Sequence, residues 1–316
     1  MDKLAVIIPV YNEAATIEAV VADYARVFPE AAIYVYDNNS TDDSAKLAAA
    51  AGAVVCCESH QGKGHVVRRA FREIDALAYV LTDGDNTYPA AEARPLVDLV
   101  VGGQVDMAIG DRLSSTYARE NKRPGHVAGN SLVRLATNFL FGGDIKDIMT
   151  GLRVVSFEFA KTLPVLSDGF QIETEMTIHA LDKRLVVANV PIAYRDRPAG
   201  SVSKLHTGRD GLRVVRMIAK LWRLYHPVGF FGTLSVILFG LSGFFVWPII
   251  QAYWATGLVP RFPTLIVCGF VAIAGLLSAF AGLILGSLRS ADRQSFEYRL
   301  QEVSAQKKRL LEEKSS

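Results

Sequence analysis

Apolar and polar residues follow two alternating periods through the first two hundred positions of the chain. Residues 4–10, 32–36, 53–57, 78–81 and 107–110 are short, continuous apolar runs rich in β-branched side chains, as expected of strands buried on both faces. The segments between them have helical spacing. In residues 14–27, Ile17, Val20, Val21 and Tyr24 share one face; residues 45–51 form a second helix stopped by Gly52, and residues 65–77 and 91–101 two more. Strand followed by helix, repeated, predicts an α/β fold with a mostly parallel sheet and helices on both faces. Beyond Asp111 the pattern loosens. Residues 114–125 read as a polar, basic loop containing Arg119, Lys122 and Arg123. A helix over 127–141, a turn into a short strand over 147–155, a helix ending at Asp182, a strand over 185–194 and a loop over 195–203 follow.

After Lys204 the pattern changes again. Arg209, Arg213, Arg216, Lys220 and Arg223 fall on one helical face, and Val214, Val215, Ile218, Leu221, Trp222 and Tyr225 mainly on the other. A basic amphipathic helix with an aromatic edge suits the surface of an anionic membrane. Residues 230–250 and 264–288 carry no charge, and each reaches the about 20 residues that cross a bilayer. Basic residues crowd before the first span, and Arg289 and Arg293 follow the second, so both chain ends are expected on the cytoplasmic side with a short hairpin loop outside. In the charged tail, Phe296, Leu300, Val303 and Leu310 keep heptad spacing if Lys307 is taken inside it, which fits either self-association or a solvated helix. The expected organisation is a catalytic domain over 1–205, an interfacial helix over 206–228, two spans within 229–289 and a helical tail over 290–316.

Composition narrows the classes. The 316 residues hold 34 Lys+Arg against 32 Asp+Glu, a net charge of +2 that gives no reason to expect a nucleic-acid partner. Mean hydropathy is +0.22, with the excess concentrated after residue 229. Cys56, Cys57 and Cys268 offer neither a disulfide framework nor zinc spacing, which fits a reducing compartment. The opening apolar run is too short for a secretory leader and reads as a first strand.

The candidate chemistry gathers at the ends of strands. The fourth strand runs into Thr82-Asp83-Gly84-Asp85-Asn86-Thr87-Tyr88-Pro89, placing two carboxylates at the carboxyl edge, where open α/β sheets bind ligands. Paired oxygen ligands suit a hard divalent cation, and such a cation suits a diphosphate. The loops after the first three strands bring Tyr11 and Glu13, Asp37 with Asp42, and Lys63 to the same edge. Asp42, Asp43 and Ser44 read best as helix-capping residues. No Gly-x-Gly-x-x-Gly follows the first strand and no P-loop is present, so dinucleotide and P-loop readings are poor.

Val6-Ile7-Ile8-Pro9-Val10-Tyr11-Asn12-Glu13, Asp37-Asn38-Asn39-Ser40-Thr41-Asp42, Gly62-Lys63-Gly64 and Asp83-Gly84-Asp85 together resemble the family 2 glycosyltransferases with the GT-A fold. Gly169-Phe170-Gln171-Ile172-Glu173-Thr174-Glu175, Val190-Pro191-Ile192, Arg195-Asp196-Arg197 and Ser203-Lys204-Leu205 resemble the dolichol-phosphate mannose synthase branch, which includes bacterial polyprenyl-phosphate glycosyltransferases with two terminal spans. The resemblance implies a GT-A, Rossmann-like domain, an interfacial helix and a transmembrane hairpin in the cytoplasmic (inner) membrane. It implies an inverting transfer of a sugar from a nucleotide sugar, UDP favoured, to a polyprenyl phosphate. Pro9, Tyr11, Glu13, Asp37, Lys63 and Asp83 would bind the donor, and Asp83 and Asp85 would hold Mg²⁺ or Mn²⁺. Thr87 stands where a relative has a metal-binding glutamine. Arg112, Arg123, Arg197 and Lys204 would meet the acceptor phosphate, with Asp85, Arg112, Arg197 and Lys204 the catalytic set. The family's usual Asp-Asp-Gly-Ser is here Asp37-Asn38-Asn39-Ser40. Glu173 and Glu175 read either as contacts to sugar hydroxyls or to the basic loop, or as acids at a helix start, where the dipole favours them. A glycosyltransferase that extends a glycan, a nucleotide-sugar-binding scaffold, and self-association through the spans or the tail are the alternatives and additions this reading carries.

Overall fold

A computed structural model describes residues 1–114, 124–169, 171–195, 219 and 222–315, with the backbone alone at 124–132 and 314–315. The described chain alternates as expected: β1 (Asp2–Val10), α1 (Ile17–Val27), β2 (Ala32–Asp37), α2 (Ser44–Ala50), β3 (Val54–Cys57), α3 (Lys63–Glu73), β4 (Ala76–Leu81), α4 (Arg94–Val101) and β5 (Met107–Asp111). Then come α5 (Pro124–Phe141), β6 (Arg153–Ser156), α6 (Phe157–Thr162), α7 (Ile172–Asp182) and β7 (Val187–Pro191), and finally α8 (Pro227–Thr256) and α9 (Phe262–Ser315).

The seven strands lie in the order β3-β2-β1-β4-β6-β5-β7. Every pairing is parallel except those of β6, which runs antiparallel between β4 and β5. The chain winds outward from β1 to β3, then returns to place β4 on the other side of β1. That reversal opens a crevice at the carboxyl ends of β1 and β4. The apolar runs are buried on both faces: Val6, Ile8, Val35, Ala78, Val80, Ala108 and Val154 belong to one core that α1 and α4 cover with Ile17, Val20, Val21, Tyr24 and Leu96.

Three expectations shift. Lys63, expected in the loop after the third strand, already opens α3. The helix expected to run to residue 77 stops at Glu73, since Ala76 pairs with Asp2 as the first residue of β4. Helix α6, not foreseen, is capped by Ser156, whose Oγ accepts from the Phe159 N–H at 3.1 Å. The interfacial helix expected over 206–228 lies outside the described residues apart from Ala219 and residues 222–228.

The chain divides into two compact units, one of Met1–Gly208 with Phe296–Ser316, the other of Arg209–Ser295. In the second unit α8 and α9 are long and apolar enough to cross a membrane. Only 17% and 22% of their most apolar windows are buried, so they are not the covered core of a soluble fold. Phe244, Val236, Phe270 and Leu277 stand exposed, a surface that lipid chains suit. The helices are pinned to each other by hydroxyls bonded to backbone carbonyls, Ser242 Oγ to Cys268 O and Ser278 Oγ to Phe231 O, both at 2.9 Å.

One stripe of the tail packs within the first unit. Phe296 and Val303 are buried, and Leu300, Lys307 and Leu310 half-buried, so the whole heptad stripe is covered within the first unit. Phe296 packs edge-on against His179 of α7, with ring centroids 5.6 Å apart, and Lys183 lies over the same ring at 5.6 Å. Lys307 Nζ donates to both carboxylate oxygens of Glu158, at 3.0 and 2.9 Å. Phe296→Ala is expected to loosen this docking by about 3 kcal/mol, the scale of a large-to-small change in a packed site. Hydrogen exchange at residues 296–313 should then speed up while the β1–β4 amides stay protected; equal protection of the tail in both proteins would refute the packing account.

Candidate functional site

The site is built from the loops that leave β1, β2 and β4, tied to one another by side chains. Asn12, at φ 55°, accepts from the Thr41 N–H at 2.7 Å, and its own N–H donates to Ser40 Oγ at 3.0 Å. Ser44 Oγ accepts from the Glu13 N–H and Asp42 from the Ala14 N–H, so Asp42 and Ser44 brace the loop after β1; the N-cap of α2, Asp43, makes no side-chain cap bond, contrary to the capping expectation. Asn38, at 4% exposure, replaces a carboxylate in the family pattern and works as a clasp. Its Nδ2 donates to the carbonyls of Glu58 and His60 at 2.9 and 2.7 Å, and its Oδ1 accepts from the Gly62 N–H at 2.6 Å. An aspartate could not donate those two bonds. Asn39, which stands where the family pattern has glycine, takes the left-handed backbone, φ 65°, a conformation glycine adopts freely.

Asp37 ends β2 between these loops. Its Oδ2 accepts from the Ser40 N–H at 3.3 Å, while its buried Oδ1 has no partner among the described residues. An orphaned buried carboxylate oxygen is costly, and it marks a place where a ligand hydroxyl or N–H fits. Pro9 and Tyr11 lie half-exposed along the same edge.

The turn after β4 is held from both sides. Thr16 Oγ1 donates to Gly84 O at 2.6 Å, and the Arg195 N–H donates to Thr87 O at 2.9 Å. Asp85 is buried, and its Oδ1 accepts from the Thr87 N–H at 3.2 Å and from Thr87 Oγ1 at 2.6 Å. The fully buried Thr87 hydroxyl therefore orients the Asp85 carboxylate.

Asp83 is fixed by contacts that the sequence did not reveal. Lys63 Nζ donates to Asp83 Oδ1 and to Glu173 Oε1, both at 2.6 Å, joining β4, α3 and α7. Burial alone would lower the Lys63 pKa; Asp83 and Glu173 outweigh it and hold the ammonium well above its ordinary value. The glycines on either side of Lys63 make the close approach possible. A Cβ on Gly64 would lie 1.9 Å from the Ser167 carbonyl oxygen, and Glu175 clamps that same strip of backbone through the Leu166 and Ser167 N–H groups at 2.8 and 2.9 Å. Gly64→Ala is expected to force the 167–168 backbone away, costing about 2 kcal/mol as other overpacked sites do. It should lower the melting temperature and the donor affinity together; a variant with wild-type values of both would show that the approach is not needed.

The antiparallel β6 matters here because it sets Gly151 against Asp83, where a Cβ would meet Asp83 Oδ2 at 2.2 Å. It also buries Arg153 completely. Arg153 donates to Thr177 Oγ1 at 2.8 Å and to the Ile148 carbonyl at 2.7 Å, which locks α7 one turn from Glu173. Burial lowers its pKa to about 10, so it stays charged at neutral pH. Only an arginine amid Leu152, Val154 and Val155 hints at it in the sequence. Arg112, expected to meet phosphate, forms a two-point pair with the fully buried Asp147, at 2.7 and 3.2 Å, and lies over the Tyr194 ring at 5.3 Å. Arg123, Arg197 and Lys204 lie outside the described residues.

Residues 5–163 match the model of glycosyl transferase family 2. The chain belongs to that family. It is 36% identical over 235 residues to glycosyltransferase AglJ of Haloferax volcanii, covering 74% of this chain and 77% of the relative. It is 31% identical over 223 residues to the dolichyl-phosphate hexose transferase of the same organism, covering 70% and 94%. Among solved structures it resembles glucosyl-3-phosphoglycerate synthase of Mycobacterium tuberculosis, crystallised with Mn²⁺, UDP and glucosyl-3-phosphoglycerate. The TM-score is 0.54 at 24% identity, covering 70% and 79%, a likeness of fold. This family 2 chain is thus a glycosyltransferase with a GT-A sheet and two apolar C-terminal helices.

Whether a divalent cation suits this glycosyltransferase turns on the donor set. The described residues contain no cluster of three or more His, Cys, Asp or Glu groups, so no closed cage exists among them. Asp83 and Asp85, one residue apart on a braced turn, instead offer a two-carboxylate platform. Such a platform fits Mg²⁺ or Mn²⁺ completing its sphere with diphosphate oxygens and water.

Proposed function

We propose that this glycosyltransferase moves a sugar from a nucleoside diphosphate sugar, UDP-sugar favoured, onto a polyprenyl phosphate, with inversion at the anomeric carbon. The observation that carries the reading is a family 2 catalytic unit in one chain with two long apolar helices left uncovered by protein. A relative spanning most of its length and named for transfer to dolichyl phosphate supports it. Pro9, Tyr11, Glu13 and Asp37 line the nucleoside, with the orphaned Asp37 Oδ1 as its acceptor. Asp83 and Asp85 hold Mg²⁺ or Mn²⁺, which when bound neutralises the diphosphate. Lys63 gives two of its three N–H groups to Asp83 and Glu173, and the third can meet a phosphate oxygen.

An oxygen of the lipid phosphate attacks the anomeric carbon from the face opposite the diphosphate. The new C–O bond forms, the bond to the β-phosphate oxygen breaks, and the nucleoside diphosphate leaves with the electron pair. The lipid phosphate is already an anion at neutral pH, so no proton has to be removed and no general base is needed. Arg112, Arg123, Arg197 and Lys204 screen the approach of two anions. The catalytic unit and both chain ends lie on the cytoplasmic side of the inner membrane, where soluble donor and lipid phosphate meet.

The test is to incubate purified protein in detergent with undecaprenyl phosphate, Mn²⁺ and a panel of radiolabelled nucleotide sugars. Label should pass into an organic-extractable, mild-acid-labile lipid. Label in a longer glycan alone would favour an extending enzyme, and binding without turnover a scaffold.

A further inference from the structure

The hairpin of α8 and α9 carries a single charge. Between Arg223 and Arg289 the chain has no Lys, Arg, Asp or Glu except Arg261. Arg261 stands just ahead of α9, a place that the sequence alone would put at the hairpin's tip. The register of the two helices puts it lower. Ser242 Oγ bonds to Cys268 O, so Arg261, seven residues before Cys268, is level with Ile249, seven residues after Ser242. From Ile249, α8 runs on to Thr256, about 10 Å further at 1.5 Å per residue. Trp247 and Trp254 bracket this level and meet edge-on, with ring centroids 6.3 Å apart, and Tyr253 is exposed. A rim of tryptophan and tyrosine lies at the headgroup level of a bilayer. Arg261 therefore sits at the depth of lipid phosphates and not in the water beyond them.

We propose that the cavity beside Arg261 seats the headgroup of an anionic glycerophospholipid, one that carries a phosphodiester and a free hydroxyl. The cavity holds about 440 Å³ and is lined by Phe244, Trp247, Pro248, Arg261 and Thr264 among others. That is within the range of ligand pockets, about 300–1,000 Å³. Two features select the headgroup. The first is charge. The Arg261 guanidinium has no ion-pair partner among the described residues, and no Asp or Glu occurs in the chain between Asp210 and Asp292. A bare cation at this depth calls for an anion, and its planar fork of N–H groups matches phosphate oxygens two at a time. The second feature is Pro248, inside α8. It has no N–H, so the carbonyl of Phe244, four residues earlier, lacks its helical donor. Both residues line the same cavity as Arg261. A carbonyl without a donor is costly in lipid, and a headgroup hydroxyl supplies one. Phe244, Val267 and Phe270 stand exposed on this hairpin and give the acyl chains an apolar surface. The seat rests on the reading that α8 and α9 cross a membrane, and on nothing about the sugar that is transferred.

Native mass spectrometry of the full chain released from detergent tests it, with phosphatidylglycerol, phosphatidic acid or phosphatidylcholine added. The wild type should retain one phosphatidylglycerol more than Arg261→Gln does, and at that seat should prefer it to phosphatidylcholine by about tenfold, the scale of a hydrogen bond to a charged group. Arg261→Lys should keep part of the retention, since charge remains while the two-point geometry goes. Pro248→Ala returns an N–H to the Phe244 carbonyl, so phosphatidylglycerol retention should fall by about fivefold, as for one lost hydrogen bond, while that of phosphatidic acid, which has no headgroup hydroxyl, holds. Equal numbers of phosphatidylglycerol on wild type and Arg261→Gln, or equal retention of phosphatidylglycerol and phosphatidylcholine, would overturn the proposal. Displacement of the lipid by inorganic phosphate at equal concentration would overturn the lipid assignment, and unchanged retention in Pro248→Ala the choice of headgroup. Should Arg261→Gln aggregate, the lysine and Pro248→Ala variants decide, and unchanged retention in both overturns the seat. Wild type and Arg261→Gln should both stay in the membrane fraction through an alkaline wash; a wild type that washes off would overturn the spanning reading and the seat with it.

Discussion

Asp85→Ala is expected to lower sugar transfer by about 10³-fold, the scale of removing a group that stabilises charge in a reacting centre, while the protein stays in the membrane. The carboxylate is buried at the carboxyl end of β4, and Thr87 bonds its Oδ1 through both backbone and hydroxyl. It is thus presented in one orientation instead of sweeping through rotamers. Alanine removes both the charge and the acceptor of the Thr87 bonds, so part of its effect would be structural. Asp85→Asn separates the two causes. The amide oxygen still accepts from Thr87, but the negative charge that holds a cation is gone. The asparagine variant should melt within about 1 kcal/mol of wild type, as an exchange that keeps its hydrogen bonds should. It should lose transfer to the same degree as the alanine variant, along with any Mn²⁺-dependent donor binding read by calorimetry. Full transfer by the asparagine variant in the presence of Mn²⁺ would remove Asp85 from the reaction.

Lys63→Ala should have the next largest effect, and the effect should fall on folding as well as on turnover. Lys63 stands at the first turn of α3, the wrong end of a helix for a cation, so helix stability does not explain its presence. Its ammonium answers Asp83 and Glu173 together, and Glu173 is 7% exposed. Removing it leaves a buried carboxylate without its counter-charge, a change that costs about 3–5 kcal/mol in comparable pairs. Asp83 keeps some contact with solvent, which argues for the lower figure of about 3 kcal/mol and a fall in melting temperature of about 6–12 °C. Lys63→Met combined with Glu173→Gln should recover about half of the loss, because the most buried uncompensated charge is then absent. A single variant as stable as wild type would show that the bridge is open in solution. The pH dependence follows from the direction of the shift. A lysine whose folded pKa is raised contributes its full stabilisation below its unfolded value, about 10.4, and loses it only as pH rises through the higher folded value. The pH–rate profile between 6 and 9 should carry no limb from Lys63.

Much of this site is legible in sequence because its strands are. Continuous β-branched runs place β1, β2 and β4, and whatever follows each run must sit at one edge of a parallel sheet; that alone brings Tyr11, Glu13, Asp37, Asp83 and Asp85 together. The partners of these residues are another matter. Glu173 is 110 positions from Lys63, and no spacing links them. The same holds for Arg112 with Asp147, and for Asn38, which the family pattern would read as an altered nucleoside contact but which clasps the loop ahead of Lys63. The order of β6 was equally hidden. A four-residue strand carries no mark of whether its neighbours run with it or against it, yet its antiparallel insertion brings Gly151 against Asp83.

By itself, then, the sequence determined the α/β alternation, the carboxylate turn, the two uncharged spans and the family to which they belong. These depend on local periodicity and on residue type, which the chain carries at each position. The tertiary structure decided that Lys63 bridges two carboxylates, that Arg153 and β6 anchor α7 beneath them, and that the heptad stripe of the tail packs on α7 and α6. It also decided that Arg261 shares a cavity with Pro248 and Phe244 across the helix pair. Each of these is a contact between distant segments, fixed by which surfaces remain to be buried once the sheet and the helix pair have formed, and such surfaces exist only in three dimensions.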